Sequence, residues 1–188
     1  APYDNLVPGN VYGHNYRMTE MQAGLLRAGL ERLPAQTTQR DESAQYLAAG
    51  LAKLGGPLRA ARRDPRVTCQ AYYAMTMHFD PTLAGVSRDL YLKALRAEGF
   101  SLGGPYAPVY RSPLLNLYDK TSPIPWRMPA VTQNYATLKQ PVVERVVNET
   151  GVVMGHAHLL GERAYLDQLL SAVAKVNEHL PKLRETQA

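Results

Sequence analysis

Seven prolines between Gly103 and Pro141 constrain this chain more than any other feature: Pro105, Pro108, Pro113, Pro123, Pro125, Pro129 and Pro141. Each lacks a backbone N–H and fixes φ, so a segment spaced this way holds neither a regular helix nor a central strand. Regular structure must come from the chain on either side, with a long connection between. A connection of this length is usually functional or disordered. The tyrosines and the single tryptophan, Trp126, within it favour an ordered, packed loop.

Before that segment, Thr19 and Gln22 form a capping box that opens a helix. Met21, Leu25, Leu26, Leu30 and Leu33 mark one apolar face at helical spacing. Pro34 predicts a stop or a kink. A second helix follows, with Tyr46, Leu47, Leu51 and Leu54 as its stripe and Gly55-Gly56-Pro57 at its end. Residues 70–79 alternate: Ala71, Tyr73, Met75, Met77 and Phe79 share one face, and Gln70, Tyr72, Thr76 and His78 the other. Period two predicts a strand with one buried face, broken by Asp80-Pro81. Ser87 caps the next helix, with Tyr91, Leu92 and Leu95 on its core side and Gly99 at its end. A short strand is expected near 100–102.

Beyond the prolines, Val142, Val143, Val146 and Val147 give a helical stripe ended by Gly151, and a short strand is expected within Val152 to Leu160. A last helix is predicted from about Glu162 to His179, on Leu166, Leu169, Leu170, Val173 and Val176, with a polar tail after Pro181. This order of elements points to an α+β domain with helices packed on a small sheet.

Composition adds exclusions. The 188 residues are 45% hydrophobic, an ordinary globular balance. One cysteine, Cys69, rules out an intrachain disulfide and a cysteine-based metal site, and is compatible with a reducing, cytoplasmic location. No apolar run approaches the ~20 residues that span a bilayer, so no membrane partner is expected. The opening Ala1-Pro2-Tyr3-Asp4, with neither an initiator Met nor a signal peptide, suggests a trimmed chain or a fragment. The net charge of +5 owes much to Arg59, Arg62, Arg63 and Arg66. These read either as a phosphate or nucleic-acid patch or as a solvated turn. No aromatics are interleaved for base stacking, and no nucleic-acid partner is expected.

His156 and His158 would point the same way on a strand, as a metal pair or as hydrogen-bonded structural residues; the sequence places no third ligand, and no metal is expected. There is no Gly-rich phosphate loop, and Ser112 and Ser171 lack a nucleophile elbow. Generic chemistry therefore identifies no catalytic residue.

Longer motifs say more. Gly13-His14-Asn15-Tyr16-Arg17-Met18-Thr19-Glu20-Met21-Gln22-Ala23 resembles the signature of the DegT/StrS-type aminotransferases, pyridoxal-phosphate (PLP) enzymes that put amino groups on sugars and aminocyclitols. Arg88-Asp89 to Glu98-Gly99 resembles the family's "RD…EG" helix. Pro105-Tyr106-Ala107-Pro108-Val109-Tyr110-Arg111-Ser112 is similar to the "YEPVYRS" of scyllo-inosose and aminohydroxybenzoate-type members. Pro141-Val142-Val143-Glu144-Arg145 resembles their "CPVAER", and His158-Leu159-Leu160-Gly161 a following run.

The resemblance implies the C-terminal half of a fold-type I enzyme. Residues 1–17 would connect from a large PLP-binding domain, 18–180 form the α+β small domain on a mainly antiparallel sheet, and 181–188 the tail. It also implies a homodimer or a complementary large-domain chain, glutamine or glutamate as amino donor, and a keto-sugar or keto-cyclitol as acceptor. The family's Schiff-base lysine precedes the Asn-Tyr-Arg motif, and every lysine of this chain, from Lys53 onward, follows it. On this reading the chain carries no catalytic residue and is inactive alone.

The large domain would hold most of the PLP. Asn15 would donate to the phosphate in the neighbouring subunit, a charge-assisted bond of ~1.5–3 kcal/mol, with Arg17 as a second cofactor-side candidate. Tyr16, Tyr106, Tyr110 and Arg111 are substrate-side candidates, because phenol and guanidinium groups suit a polyhydroxylated ring or a phosphate. Structural roles stay open for each: a loop Asn bonded to its own backbone, an ion-paired Arg, a packed Pro/Tyr loop. The alternative at the level of function is a stand-alone, non-catalytic dimerisation or interaction domain.

Overall fold

The computed structural model describes residues 16–112 and 135–186. Helix α1 (Glu20–Leu54) opens at the predicted capping box. The Gln22 N–H donates to Thr19 Oγ1 (3.3 Å) and the Thr19 N–H donates to Gln22 Oε1 (3.0 Å). Of the stop or kink expected at Pro34, the stop does not occur, and α1 runs through it for 35 residues. One missing N–H removes one rung of the ladder. Leu33, Ala35 and Gln36 around it are good helix formers, and helix propagation is cooperative.

The chain divides into two compact units, Ala1–Gln36 and Thr37–Ala188. In the first, the predicted apolar face of α1 is solvent-exposed: Met21 81%, Leu25 72%, Leu26 52%, Leu30 63% and Leu33 45%.

The second unit contains the core. Its sheet is three antiparallel strands in sequence order, β1 (Leu58–Ala60), β2 (Ala74–Phe79) and β3 (Gly151–Gly155). The register pairs Leu58 with Phe79 and Ala60 with Met77, then Met75 with Met154 and Met77 with Val152. The alternation read from the sequence holds within β2, where Met75, Met77 and Phe79 are buried while Thr76 is exposed. Strand β1 is not marked in the sequence: Arg59, which reads as part of an anion patch or of a solvated turn, is an exposed strand residue between buried Leu58 and half-buried Ala60.

Helices cover the buried face. The second half of α1 contributes Leu47 and Leu51, and α3 (Arg88–Ala97) contributes Tyr91, Leu92 and Leu95. Helix α5 (Arg163–Glu178) adds Leu166, Leu169, Val173 and Val176. Each fully buried aliphatic or aromatic side chain contributes about 1.5–3 kcal/mol. Ser87 caps α3 as predicted, its Oγ accepting from the Leu90 N–H at 3.3 Å. A one-turn helix, α2 (Pro81–Ala84), follows β2 and is capped by Asp80.

The helical stripe expected after Pro141 lies on α4 (Pro141–Arg145) and a π-helical turn, Val146–Thr150, with Val142, Val143 and Val146 exposed. Two expectations are corrected. The residues near 100–102 form no strand; Gly103 makes an isolated bridge to Val153 instead. The segment read as the beginning of a polar tail folds into α6 (Leu180–Glu185). It buries Leu180, and the Arg184 Nε donates to Ala84 O at 2.9 Å. Among the described residues, no helix is long and apolar enough to cross a membrane.

Candidate functional site

The proline-rich loop is fastened to the sheet where it begins. The Gly103 N–H donates to Val153 O at 3.0 Å, and the Val153 N–H donates back to Gly103 O at 2.8 Å. The loop therefore leaves from the outer edge of β3. Prolines keep it irregular from there, and it carries the candidate substrate residues outward. Tyr106 is 79% exposed, and its hydroxyl lies 2.9 Å from that of Tyr73, at the start of β2. That hydrogen bond raises the Tyr106 hydroxyl above the ordinary tyrosine range. His156 Nδ1 is 3.2 Å from Tyr73 O.

A 3-10 turn, Val109–Arg111, then presents Tyr110 and Arg111 side by side. Both reach one carboxylate oxygen: the Tyr110 hydroxyl donates to Glu144 Oε1 at 2.9 Å, and Arg111 Nη2 donates to the same atom at 2.7 Å. Hydrogen bonds from Arg111 and then from Tyr110 hold the Glu144 carboxyl below its usual range. Desolvation, and next the bond to Glu144, push the Tyr110 hydroxyl up. At neutral pH the cluster is therefore a carboxylate, a guanidinium and a protonated phenol. The charge on Arg111 is offset locally, and the remaining phenol and guanidinium groups suit hydroxyl and carbonyl oxygens of an uncharged ring.

Within the Pro141–Arg145 motif, nothing in the sequence marks Glu144 as a site residue. Only the fold brings α4 beside the loop, across more than thirty intervening residues. Tyr73 was read as a core-facing strand residue and is 76% exposed, because β2 begins one residue after it.

Tyr16 and Arg17 belong to the first unit, both exposed, beside a shallow depression of ≈ 570 Å³ that Met18, Gln22, Leu25 and Leu26 also line. Asn15 lies outside the described residues. His156 and His158 sit on a 3-10 turn, His156–Leu160, and not on a strand. They are bonded separately, His158 Nδ1 lying 2.5 Å from the Tyr165 hydroxyl. Among the described residues, no group of three or more His, Cys, Asp or Glu side chains is placed to hold a metal ion. Within the arginine cluster, Arg63 is paired to Asp41 and Arg66 to Asp64, which weakens its reading as an anion patch.

The chain is 35% identical over 195 aligned residues to an L-glutamine:3-amino-2,3-dideoxy-scyllo-inosose aminotransferase of Micromonospora echinospora, matching 99% of this chain and 45% of that protein. It thus spans about half the length of the curated relatives it matches. Among solved structures, it resembles 3-amino-5-hydroxybenzoic acid synthase with a TM-score of 0.65 at 20% identity, covering 94% of this chain and 43% of that one. An aminotransferase from Psychrobacter cryohalolentis superposes with a TM-score of 0.67 at 23% identity, covering 94% and 44%. The α+β architecture, with helices on a small antiparallel sheet, is shared with these fold-type I enzymes. The DegT/DnrJ/EryC1/StrS aminotransferase family model matches residues 3–150, and this chain belongs to that family.

Proposed function

We propose that this chain is the substrate-side portion of a PLP-dependent aminotransferase that moves an amino group from glutamine or glutamate to the keto group of a cyclitol or sugar ring. The observation that carries this reading is the loop Pro105–Arg111, whose Tyr106, Tyr110 and Arg111 are held by Tyr73 and Glu144 beside open solvent. A charge-offset array of phenols and one guanidinium favours a neutral polyhydroxylated acceptor. The relatives named as glutamine:inosose aminotransferases support the same choice.

Bound PLP supplies the electron sink for proton removal at the carbon that carries the amino group. Asn15 and Arg17 are the residues of this chain assigned to its phosphate, in the neighbouring subunit. The donor chemistry fits: an amide and a guanidinium both donate to phosphate oxygens. Arg17 stands just before the capped start of α1, where the backbone is fixed by the Thr19–Gln22 pair. Tyr106, Tyr110 and Arg111 orient the acceptor ring, and Glu144 keeps Tyr110 and Arg111 in one arrangement.

The test is amino transfer by the full-length protein with PLP, glutamine and a keto-cyclitol, followed by mass spectrometry of the product. Transfer to a keto-cyclitol or an uncharged keto-sugar supports the reading; transfer only to a nucleotide-linked keto-sugar, which carries phosphate charge, would overturn the neutral acceptor, and transfer to none of them would overturn the activity. Within an active enzyme, Asn15→Ala is expected to weaken PLP retention roughly tenfold or more, the loss of one charge-assisted hydrogen bond, with little change in Tm. Unchanged PLP affinity on dialysis would remove the role given to Asn15.

The exposed leucines of α1 are assigned to contact with a large domain or a second subunit. The chain on its own is therefore expected to self-associate, since contiguous apolar surface of this kind drives association. Leu25→Glu with Leu30→Glu should shift it toward monomer in sedimentation. A wild-type chain that stays monomeric at high concentration contradicts the assignment.

A further inference from the structure

Arg88, the first residue of α3, is 8% exposed. Asp89 anchors it, accepting from Nε at 3.0 Å and lying 2.9 Å from Nη2. Its Nη1 donates to two backbone carbonyls, Val147 O at 2.6 Å and Gly151 O at 3.1 Å. Those carbonyls belong to the π-helical turn that follows α4 and to the first residue of β3. A π-turn leaves carbonyls poorly matched to the helical ladder, and the guanidinium supplies the donor.

The same guanidinium lies under the substrate loop. A Cβ added at Gly104 would stand 3.3 Å from Arg88 Cζ, so the loop backbone crosses directly over it. One residue on, Pro105 is packed against Gly151, where a Cβ would meet Val146 O at 2.6 Å and Pro105 Cγ at 2.9 Å. Arg88 thus touches both walls of the candidate site. One is the π-turn that continues α4 and Glu144; the other is the Gly103–Pro105 turn that launches Tyr106, Tyr110 and Arg111. Arginine suits this place because its planar fork bonds two carbonyls while its face carries a backbone; a lysine offers a point charge without the plane.

We propose that Arg88 is a positioning residue of the acceptor site, setting the spacing between the Glu144 segment and the Tyr106–Arg111 loop. The role rests on the reading of that loop as the acceptor wall. A loop shifted by about 1 Å misplaces the hydroxyl donors, and misplacement on that scale costs up to about 10²-fold in rate.

The experiment uses Arg88→Lys and Arg88→Met, with two readouts. Hydrogen exchange on the folded chain should quicken roughly tenfold at the amides of Gly103, Val153, Arg111 and Ser112, while the amides of β2 and α5 keep their protection. In the full-length enzyme, KM for the keto-cyclitol should rise about tenfold in Arg88→Met and less in Arg88→Lys, with the glutamine half-reaction unchanged. Exchange that rises evenly through the core overturns the proposal, because it makes Arg88 a stability residue only. Local loosening with an unchanged acceptor KM also overturns it. If the wild-type enzyme transfers no amino group to any acceptor, the proposed function fails with it, and the exchange pattern then decides only whether Arg88 holds the loop.

Discussion

Phe79→Ala is expected to destabilise the chain by about 3–5 kcal/mol, the range for deleting a buried aromatic side chain. Phe79 is 0% exposed and lies at the junction of the sheet and the helices. It pairs with Leu58 across β1, and its ring centroid is 5.0 Å from that of Tyr91 on α3. Removing the ring leaves a void between β2 and α3 that rigid strand and helix backbones cannot close. For a chain of this size the loss corresponds to a fall in Tm of about 6–20 °C. Tyr91→Phe is the contrasting variant. Burial pushes the Tyr91 hydroxyl above its usual range, so it stays protonated and donates to Asn177 Oδ1 at 2.8 Å. Losing that one bond while keeping the ring should cost about 1 kcal/mol. Chemical denaturation of both variants checks the pair, and a Phe79→Ala loss no larger than that of Tyr91→Phe would mean this core is loosely packed.

Glu144→Ala in the full-length enzyme is expected to lower kcat/KM for the acceptor by about 10²-fold, since two oriented donors lose their common anchor at once. Its Tm should barely move, because the cluster is on the surface. Glu144→Gln separates the two roles of the carboxylate: an amide oxygen still accepts a hydrogen bond but no longer offsets the charge on Arg111. A pH profile provides a second check. The Glu144 carboxyl is held below its usual range by Arg111 and Tyr110, so the anchored arrangement is complete above the ordinary glutamate value of about 4.3. It is lost only as pH falls through the lower folded value. At the alkaline end, the raised Tyr110 hydroxyl keeps donating through the ordinary tyrosine range near 10 and stops as pH rises through its own higher value. The arrangement therefore spans neutral pH with margin on both sides. An acceptor kcat/KM unchanged in Glu144→Ala relative to wild type would remove Glu144 from the site.

Several features were legible in the sequence because they depend on neighbours in the chain. The Thr19–Gln22 box and the Ser87 cap are formed by residues three apart, so the pattern alone locates them. The alternation through Met75, Met77 and Phe79 and the helical stripe through Leu166, Leu169, Val173 and Val176 encode which faces become core. The family, too, was readable from motifs along the chain, and the match over residues 3–150 agrees.

Other features were decided by tertiary structure, because they depend on residues far apart. Nothing local marks Leu58–Ala60 as a strand; it becomes one because β2 offers it a free edge. The stripes on the first half of α1 and after Pro141 mark helical spacing in the sequence, and only the structure shows that they are exposed, since periodicity reports amphipathicity and not what, if anything, covers it. Glu144 meets Tyr110 and Arg111, and Arg88 meets Val147, Gly151 and Gly104, through chain separations that no spacing rule spans. The sequence by itself determined the principal helical segments, the central strand and the family; the packing of the loop and the π-turn against β3 decided which polar groups stand together as a site, because hydrogen bonds between distant segments exist only once the sheet has brought them within reach.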